Sequence, residues 1–323
     1  MTSRSGATFW IKVIVTVTVL AAVFLRVDLS SAASALAHTH WPLFLLSLGL
    51  TVPLGFTAVQ RWRGVAVTFG ETLPISKAFI YIWIGQFINL GFPTVLGLDS
   101  VRAWKMHTRG MPLGLATRIV VVDRLCSLFT LLIIIAVALP HLWALQGSEI
   151  FKQSTIFVFA LGCTALTCLS ASEWVGRANF ALGSLRHLHT LSKDFNHALF
   201  GSAATSLKIS LWGLLNHFFR VVIVCCLALA LGLPISMFDA FTLVPSALLI
   251  AMVPITLGGW GIREMVFIEA FSLVGVAAGD ALALSLLYGL VFSITGLLGG
   301  AVWFAERRAA RQQPEARESE HHA

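Results

Sequence analysis

Apolar stretches that are each long enough to cross a bilayer occupy most of this 323-residue chain. A membrane-spanning helix needs about 20 consecutive apolar residues. Charged residues make up only 11% of the chain, whereas a soluble protein carries roughly 25%. The sequence therefore predicts an all-α polytopic membrane protein. Full spans are expected near residues 9–26, 41–60, 117–140, 154–172, 207–231 and 281–304.

A ten-residue motif, Pro-x-x-Leu-Gly-x-x-x-(Val/Ile)-Arg, occurs twice, at residues 93–102 and 254–263. Each copy ends a further apolar run. The two arginines that close the copies, Arg102 and Arg263, are 161 residues apart. Hydrophobic segments that are interrupted by Gly or Pro at matching positions of two halves indicate the binding site of a membrane transporter.

The distribution of Lys and Arg indicates whether the two motif-bearing runs, 78–96 and 239–257, cross the membrane or turn back. The segments 27–40, 141–153 and 232–238 together hold one Lys and no Arg. If both runs are re-entrant hairpins, all these segments lie outside and every basic cluster is cytoplasmic. A full crossing by the first run alone would move its basic cluster outside, so the pattern favours hairpins.

Two hairpins that enter from opposite sides make an inverted-topology repeat with both termini in the cytoplasm. We interpret residues 1–305 as a single membrane domain, with repeat one at about 9–140 and repeat two at about 154–304. The connection 173–206 is expected to hold an amphipathic helix at the cytoplasmic surface. The polar tail 306–323 is predicted to be a disordered cytoplasmic segment.

Arg102 and Arg263 are the first candidates for substrate binding. After a Gly-rich turn, each should lie near the N-terminus of its hairpin's second arm, where a guanidinium and free N–H groups suit a phosphate or carboxylate. Gly258, Gly259 and Gly261 would let the second backbone approach a ligand closely. The alternative is that both arginines extend to the interface and anchor helix ends.

Two carboxylates accompany these arginines. Asp99 and Glu264 flank them in sequence. They are candidates to pair with the arginines within the site, or to form a local salt bridge that holds the turn.

Arg220 lies near the middle of a predicted span, where a charge costs roughly 2.5–3.5 kcal/mol on insertion scales. Asn216 and His217 share its helix face. This polar stripe must face protein or water. Arg220 is therefore a candidate headgroup contact or, alternatively, a structural partner of Glu264 or Glu269.

Two further pairs have both a functional and a structural interpretation. Asp123 and Arg124 are candidates to line the site or to anchor their span at its cytoplasmic end. Gln86 and Asn89 share one face of the first hairpin arm. They are candidates to cap broken backbone or to contact a headgroup.

No catalytic or metal-binding motif occurs in the sequence, which has no His-Glu-x-x-His, Gly-x-Ser-x-Gly, P-loop or Gly-x-Gly-x-x-Gly. We expect no enzymatic activity, no metal and no cofactor. The five cysteines lie in apolar runs without ligand spacing. The net charge of +7 reports membrane topology and does not predict a nucleic-acid partner.

Three stretches together resemble the lysylphosphatidylglycerol synthase transmembrane family. They are residues 86–102, with Asn-x-x-x-Pro and Gly-x-Asp-x-x-Arg, the run Asp123-Arg124-Leu125, and the Gly-Gly-x-Gly-x-Arg-Glu of residues 258–264. The sequence departs from the family pattern at Ser127, where aspartate is common, and at Asp99, where glutamate is common.

The resemblance implies a lipid flippase or lipid transporter of the bacterial cytoplasmic membrane, acting on an anionic or phosphate-containing lipid. The chain carries no aminoacyl-transfer domain, so we do not expect it to synthesise the lipid. Two alternatives stay open at this point. One is a secondary transporter of a soluble anion; the other is a non-catalytic partner of an envelope-lipid synthase. Self-association is a further expectation that the sequence leaves open.

Overall fold

The computed structural model describes residues 29–91, 97–175, 183–253 and 261–321. Within these ranges the chain is all-helical, and no strand occurs. The helices are α1 (Leu29–Ala37), α2 (Trp41–Gly49), α3 (Thr51–Thr68), α4 (Ile75–Gly91), α5 (Gly97–His107), α6 (Leu113–Ala144), α7 (Glu149–Val175), α8 (Gly183–Phe200), α9 (Ala203–Ala230), α10 (Met237–Ala251), α11 (Ile262–Ser272) and α12 (Ala278–His321).

Five of the described helical segments are long and apolar enough to cross a membrane. They are Trp41–Thr68, Leu113–Ala144, Glu149–Glu173, Ala203–Ala230 and Ala278–Glu306. Each coincides with a predicted span, so five of the six predictions are confirmed as membrane-length helices. The sixth predicted span, 9–26, lies outside the described residues.

The first of these segments bends where α2 meets α3. Leu50 is the C-terminal cap of α2 and the N-terminal cap of α3. Pro53, in the first turn of α3, has no N–H to donate to the preceding turn, which accounts for a break in the helix at this point. The bend separates the short helix α2 from α3. In chain order, α3 carries the first side chains of the candidate functional site.

Two pairs of helices are shorter than the five membrane-length segments. In the first pair α4 packs against α5, and in the second α10 packs against α11. Residues 92–96, between the helices of the first pair, and residues 254–260, between those of the second, are outside the described residues. In both pairs, an apolar first arm of at most 17 residues is followed by an arm of 11.

The first pair packs closely against the last helix. A Cβ built on Gly299 of α12 would lie 1.9 Å from the carbonyl oxygen of Trp83 in α4. The two backbones therefore touch at a point where only glycine fits. This contact fixes α4, and with it the cavity described below.

The long connection between α7 and α9 contains the predicted amphipathic helix, α8. Asp194 on α8 accepts two bonds from Arg118 of α6, at 2.7 and 2.8 Å. Ser192 donates to the carbonyl oxygen of Leu169 at 2.6 Å. These contacts hold α8 against the ends of two long helices.

The last helix extends beyond its apolar span into the polar C-terminal tail. It continues through His321. The tail is rich in Ala, Arg, Gln and Glu. These residues are good helix formers, so they extend a helix that the apolar span has already nucleated.

Candidate functional site

A buried aspartate on α6 forms the centre of the site. Asp123 has no solvent exposure. One of its oxygens accepts from Nε of Arg61 at 2.8 Å, and the other accepts from Nη2 of Arg61 at 3.3 Å and from Nη2 of Arg102 at 2.7 Å. A two-point contact between guanidinium and carboxylate is the strongest geometry for such a pair. One carboxylate therefore holds two arginines from two other helices.

A second aspartate extends the network. Asp99, in the first turn of α5, accepts from Arg102 at 3.2 Å and from Nε of Arg124 at 2.6 Å. The resulting cluster contains three arginines and two aspartates. Its formal charge is therefore positive by one unit.

Arg102 is held on a second side by an aromatic ring. Its guanidinium carbon lies 4.2 Å from the ring centre of Trp62, which is fully buried. Arg102 is itself only 3% exposed, and its Nε has no hydrogen-bond partner among the described residues. An unmet donor on a buried charge is costly unless a ligand or water satisfies it.

The three arginines of this cluster, Arg61, Arg102 and Arg124, line a cavity of about 80 Å³. A water molecule needs ~10–15 Å³ of such space, so the cavity admits a few waters or a small polar group but not a whole lipid. Its lining residues are Thr51, Leu54, Gly55, Ala58, Arg61, Ile82, Trp83, Gln86, Leu98, Arg102, Arg124, Ser127, Asn216, Arg220, Phe292 and Thr295. Four of these are arginines and none is acidic.

Arg220 is the arginine of this cavity that has no carboxylate partner within the described part of the chain. Its contacts there are the hydroxyl of Tyr288 at 3.4 Å and the ring of Phe292 at 5.7 Å. The two acidic residues that the sequence offers as its partners lie elsewhere: Glu264 binds Arg263, and Glu269 accepts from Ser148. A structural ion pair therefore does not account for Arg220.

Asn216 and His217 connect the same helix to its neighbours. Asn216 donates to the carbonyl oxygen of Leu54 at 3.0 Å and to the hydroxyl of Thr57 at 2.9 Å. A ring nitrogen of His217 lies 3.1 Å from the carbonyl oxygen of Ser127. Asn216 thereby ties α9 to α3 at the edge of the cavity.

The second pair of short helices, α10 and α11, has a different arrangement. Nε of Arg263 donates to Glu264 at 3.1 Å and to the hydroxyl of Ser285 at 3.3 Å, and its Nη2 also contacts Glu264. Glu264 additionally accepts from the backbone N–H of Gly261 at 2.6 Å, which caps the start of α11. Gly261 has a φ of 87°, in the region that favours glycine.

Four of the predicted site residues therefore do not join the others: Arg263, Glu264, Gly261 and Asn89. Arg263 is not among the residues that line the cavity, because its own neighbour Glu264 and the turn at Gly261 hold it beside α12. Asn89 is exposed and also does not line the cavity, whereas Gln86, three residues earlier, does. Gly258 and Gly259 lie outside the described residues.

Sequence reasoning missed one central residue. The sequence motifs do not include Arg61, yet it is 5% exposed and bound to Asp123. Its partner is 62 residues away, and no short motif reveals such a pairing. The available signal was its position inside an apolar run that continues on both sides as far as Val67. Ser127, a departure from the family pattern, accepts from Nη1 of Arg61 at 3.1 Å.

A bundle of membrane-length helices around a buried, cationic cavity defines a multi-pass membrane protein. The family model described as the lysylphosphatidylglycerol synthase TM region matches residues 9–300. The chain belongs to this family, which confirms the resemblance carried by its motifs and relates it to membrane proteins of lipid handling. Among curated proteins, none matches the chain. No group of three or more potential metal ligands occurs in the described ranges.

Proposed function

We propose that the protein is a lipid flippase or lipid transporter that moves a phosphate-bearing lipid between the leaflets of a bacterial inner membrane. The observation that supports this most is the cavity lined by four arginines, of which three share two aspartates and one has no carboxylate partner in the described ranges. Family membership supports lipid as the substrate class.

The charge of the cavity favours an anionic ligand. A buried charge is stable only when it is paired and hydrogen-bonded. The excess of guanidinium over carboxylate around this cavity therefore favours an incoming anion, and a planar guanidinium binds phosphate through two parallel bonds. A phosphate headgroup fits the small cavity while its tails stay in the bilayer.

We assign distinct roles to the residues around this cavity. Arg220 and Arg124 are proposed to contact the phosphate directly, together with Arg102. Asp123 and Asp99 position the arginines, because each binds two of them. The role is transport and not catalysis.

The two short helix pairs support a transport mechanism. We propose that each pair is a re-entrant hairpin and that the halves form an inverted-topology repeat with both termini in the cytoplasm. Broken helices at equivalent positions of such repeats permit alternating access to one central site. In this proposal Arg263, Glu264, Gly261 and the adjoining Gly258 and Gly259 form the counterpart site, which is used when the cavity opens to the other side.

Arg220 gives the sharpest test. The purified chain is placed in vesicles of phosphatidylethanolamine and phosphatidylglycerol that contain fluorescent phosphatidylglycerol, and lipid movement is followed by quenching from outside. We expect Arg220→Gln to slow movement at least about tenfold, since a bond to a charged group contributes ~1.5–3 kcal/mol. Folding should survive, because the substitution removes a costly charge from the middle of a span.

Lys193→Gln is the matched control, since Lys193 is an exposed cation on α8 and should leave the rate unchanged. No lipid movement by the parent chain, for any headgroup supplied, would overturn the proposal. Saturable uptake of inorganic phosphate in the same vesicles would then indicate a soluble-anion carrier. Stable co-purification with an envelope-lipid synthase would instead indicate a partner subunit.

A further inference from the structure

Four polar or aromatic side chains recur at every fourth position of α9. They are Lys208, Trp212, Asn216 and Arg220. Residues spaced by four lie on one face of a helix, so these side chains run from the start of α9 to its middle. Asn216 and Arg220 line the arginine cavity, which raises the question of what Lys208 and Trp212 line.

They line a second recess, at the end of α3 and the start of α9. This interfacial groove, as we call it, has a volume of about 520 Å³ and is bounded by Arg63, Thr72, Lys208, Leu211 and Trp212 among others. It is larger than the arginine cavity and open at the surface. None of its lining residues is acidic.

Both cations of the groove are available to an anion. Lys208 is exposed and has no carboxylate within ion-pair distance in the described ranges. Arg63 donates to the carbonyl oxygen of Leu73 at 2.6 Å and to the side chain of Gln60 at 2.8 Å. These bonds use uncharged acceptors, so they orient the guanidinium without neutralising it.

The surroundings of the groove favour a lipid as its occupant. Two of its lining residues, Val67 and Leu211, are 58% and 50% exposed, which gives the groove an apolar rim next to its two cations. Trp212 is partly buried beside them. Aromatic and basic side chains at the end of a span are typical of the headgroup level of a bilayer. An anionic headgroup can then lie between Lys208 and Arg63 while acyl chains cover the apolar rim.

We infer that the interfacial groove binds the phosphate headgroup of an anionic lipid at this end of the bundle, as the stage before entry to the arginine cavity. Its entry role rests on the proposed transport function; the binding itself does not. Between groove and cavity, Asn216 bonds to the carbonyl oxygen of Leu54 and to Thr57. A headgroup that advances along α9 has to break these two bonds.

Lipid binding tests the groove directly. The full chain is placed in nanodiscs of phosphatidylcholine doped with phosphatidylglycerol, and the bound phosphatidylglycerol is titrated by native mass spectrometry. We expect Lys208→Gln to weaken binding about fivefold, which corresponds to the ~1 kcal/mol that one basic residue contributes near an anionic surface. Lys208→Arg should retain binding. Lys77→Gln is the matched control, because Lys77 is an exposed lysine at the start of α4 that does not line the groove.

Equal affinities for the parent and Lys208→Gln would overturn the inference. Full displacement of phosphatidylglycerol by glycerol phosphate would also overturn it, because the groove would then recognise a soluble anion without its tails.

The same variants separate this inference from the proposed function. If the groove feeds the cavity, Lys208→Gln should slow lipid movement at low phosphatidylglycerol density and recover at high density, whereas Arg220→Gln should be slow at both. Lysine-dependent binding without any lipid movement would retain the groove and reject transport. Movement that depends on Arg220 but is indifferent to Lys208 at every density would retain transport and reject the entry role of the groove, whose binding is judged by the titration.

Discussion

The two hairpin-like pairs carry the same motif but bind their arginines in different ways. In the first pair, Arg102 reaches Asp123, which lies 21 residues later on the next helix. In the second pair, Arg263 reaches Ser285, which lies 22 residues later. The two partners follow their arginines at similar spacings, 21 and 22 residues, but only the first is charged. Arg263 takes its charge partner from the adjoining residue, Glu264.

The first arginine therefore forms its ion pair between helices, whereas the second forms its ion pair within one helix. The first arginine is bound across helices, since Asp123 also holds Arg61 on α3. The second forms its ion pair within a single turn of α11, and the same glutamate caps that turn. Displacement of α5 therefore has to break a buried ion pair between helices, whereas the Arg263–Glu264 ion pair lies within α11 itself.

The largest expected effect comes from Asp123→Asn. This change leaves Arg61 and Arg102 buried without their shared carboxylate, and breaking a buried pair costs ~3–5 kcal/mol. Unfolding of the purified chain in detergent, followed by helical circular dichroism, measures the loss. Ser285→Ala at the equivalent place removes one weak hydrogen bond and should cost about 1 kcal/mol or less. Similar losses in the two variants would contradict the distinction.

The next effect concerns how each pair packs on the last helix. Gly299→Ala would push a Cβ into the backbone of Trp83, and overpacking of this kind costs ~1–3 kcal/mol. Gly289→Ala, ten residues earlier on α12, would instead meet the guanidinium end of Arg263 at 2.7 Å. That flexible group can shift, so its cost should be smaller. A reversed order in measured unfolding would show that the second contact is the rigid one.

The amount of lipid that stays bound to the protein compares the roles of Arg102 and Arg263. Phosphatidylglycerol that stays with the purified chain is quantified by mass spectrometry for Arg102→Gln and Arg263→Gln. We expect about a tenfold loss for the first, because it removes a charge-assisted bond worth ~1.5 kcal/mol or more, and little change for the second in this conformation. Helical content serves as the folding control. Equal losses would mean that the two arginines share one site.

The smallest effect is at the turn that opens α11. Gly261→Ala places a side chain at a φ of 87°, which costs on the order of 1 kcal/mol. Gly114→Ala is the control, since Gly114 lies in the first turn of α6 with open space around it. That change should be neutral or slightly stabilising. An unaffected Gly261→Ala protein would mean that the turn relaxes at no cost.

Much of the fold could be predicted because a bilayer imposes one simple requirement. Runs of about 20 apolar residues must be helices, and the five predicted spans in the described ranges are membrane-length helices. The predicted ends of these spans were less accurate than their positions in the chain. The segment predicted at 41–60 extends to Thr68, since Arg61 and Arg63 lie within the helix and do not end it.

The site could be predicted only in part. Asp99, Arg102, Asp123 and Arg124 were all named from sequence, and the structure joins them through ion pairs. Arg61 was not named, because hydropathy gives the depth of a charge along a span but not the neighbour it faces. The recurrence of the ten-residue motif could not show that Arg263 lies apart from this cluster, since that depends on Glu264 and on a serine at position 285.

The pairing of Arg61 with Asp123 also bears on how the protein is made. The two residues are 62 positions apart, and chains grow at about 5–20 residues per second, so Arg61 is synthesised roughly 3–12 s before its partner. During that interval the nascent first segment holds a charge that has no carboxylate to neutralise it. Such a charge disfavours insertion. We therefore expect the segment that carries Arg61 to reach its final depth only after α6 has been inserted. The Arg61–Asp123 ion pair then forms as the two helices pack together.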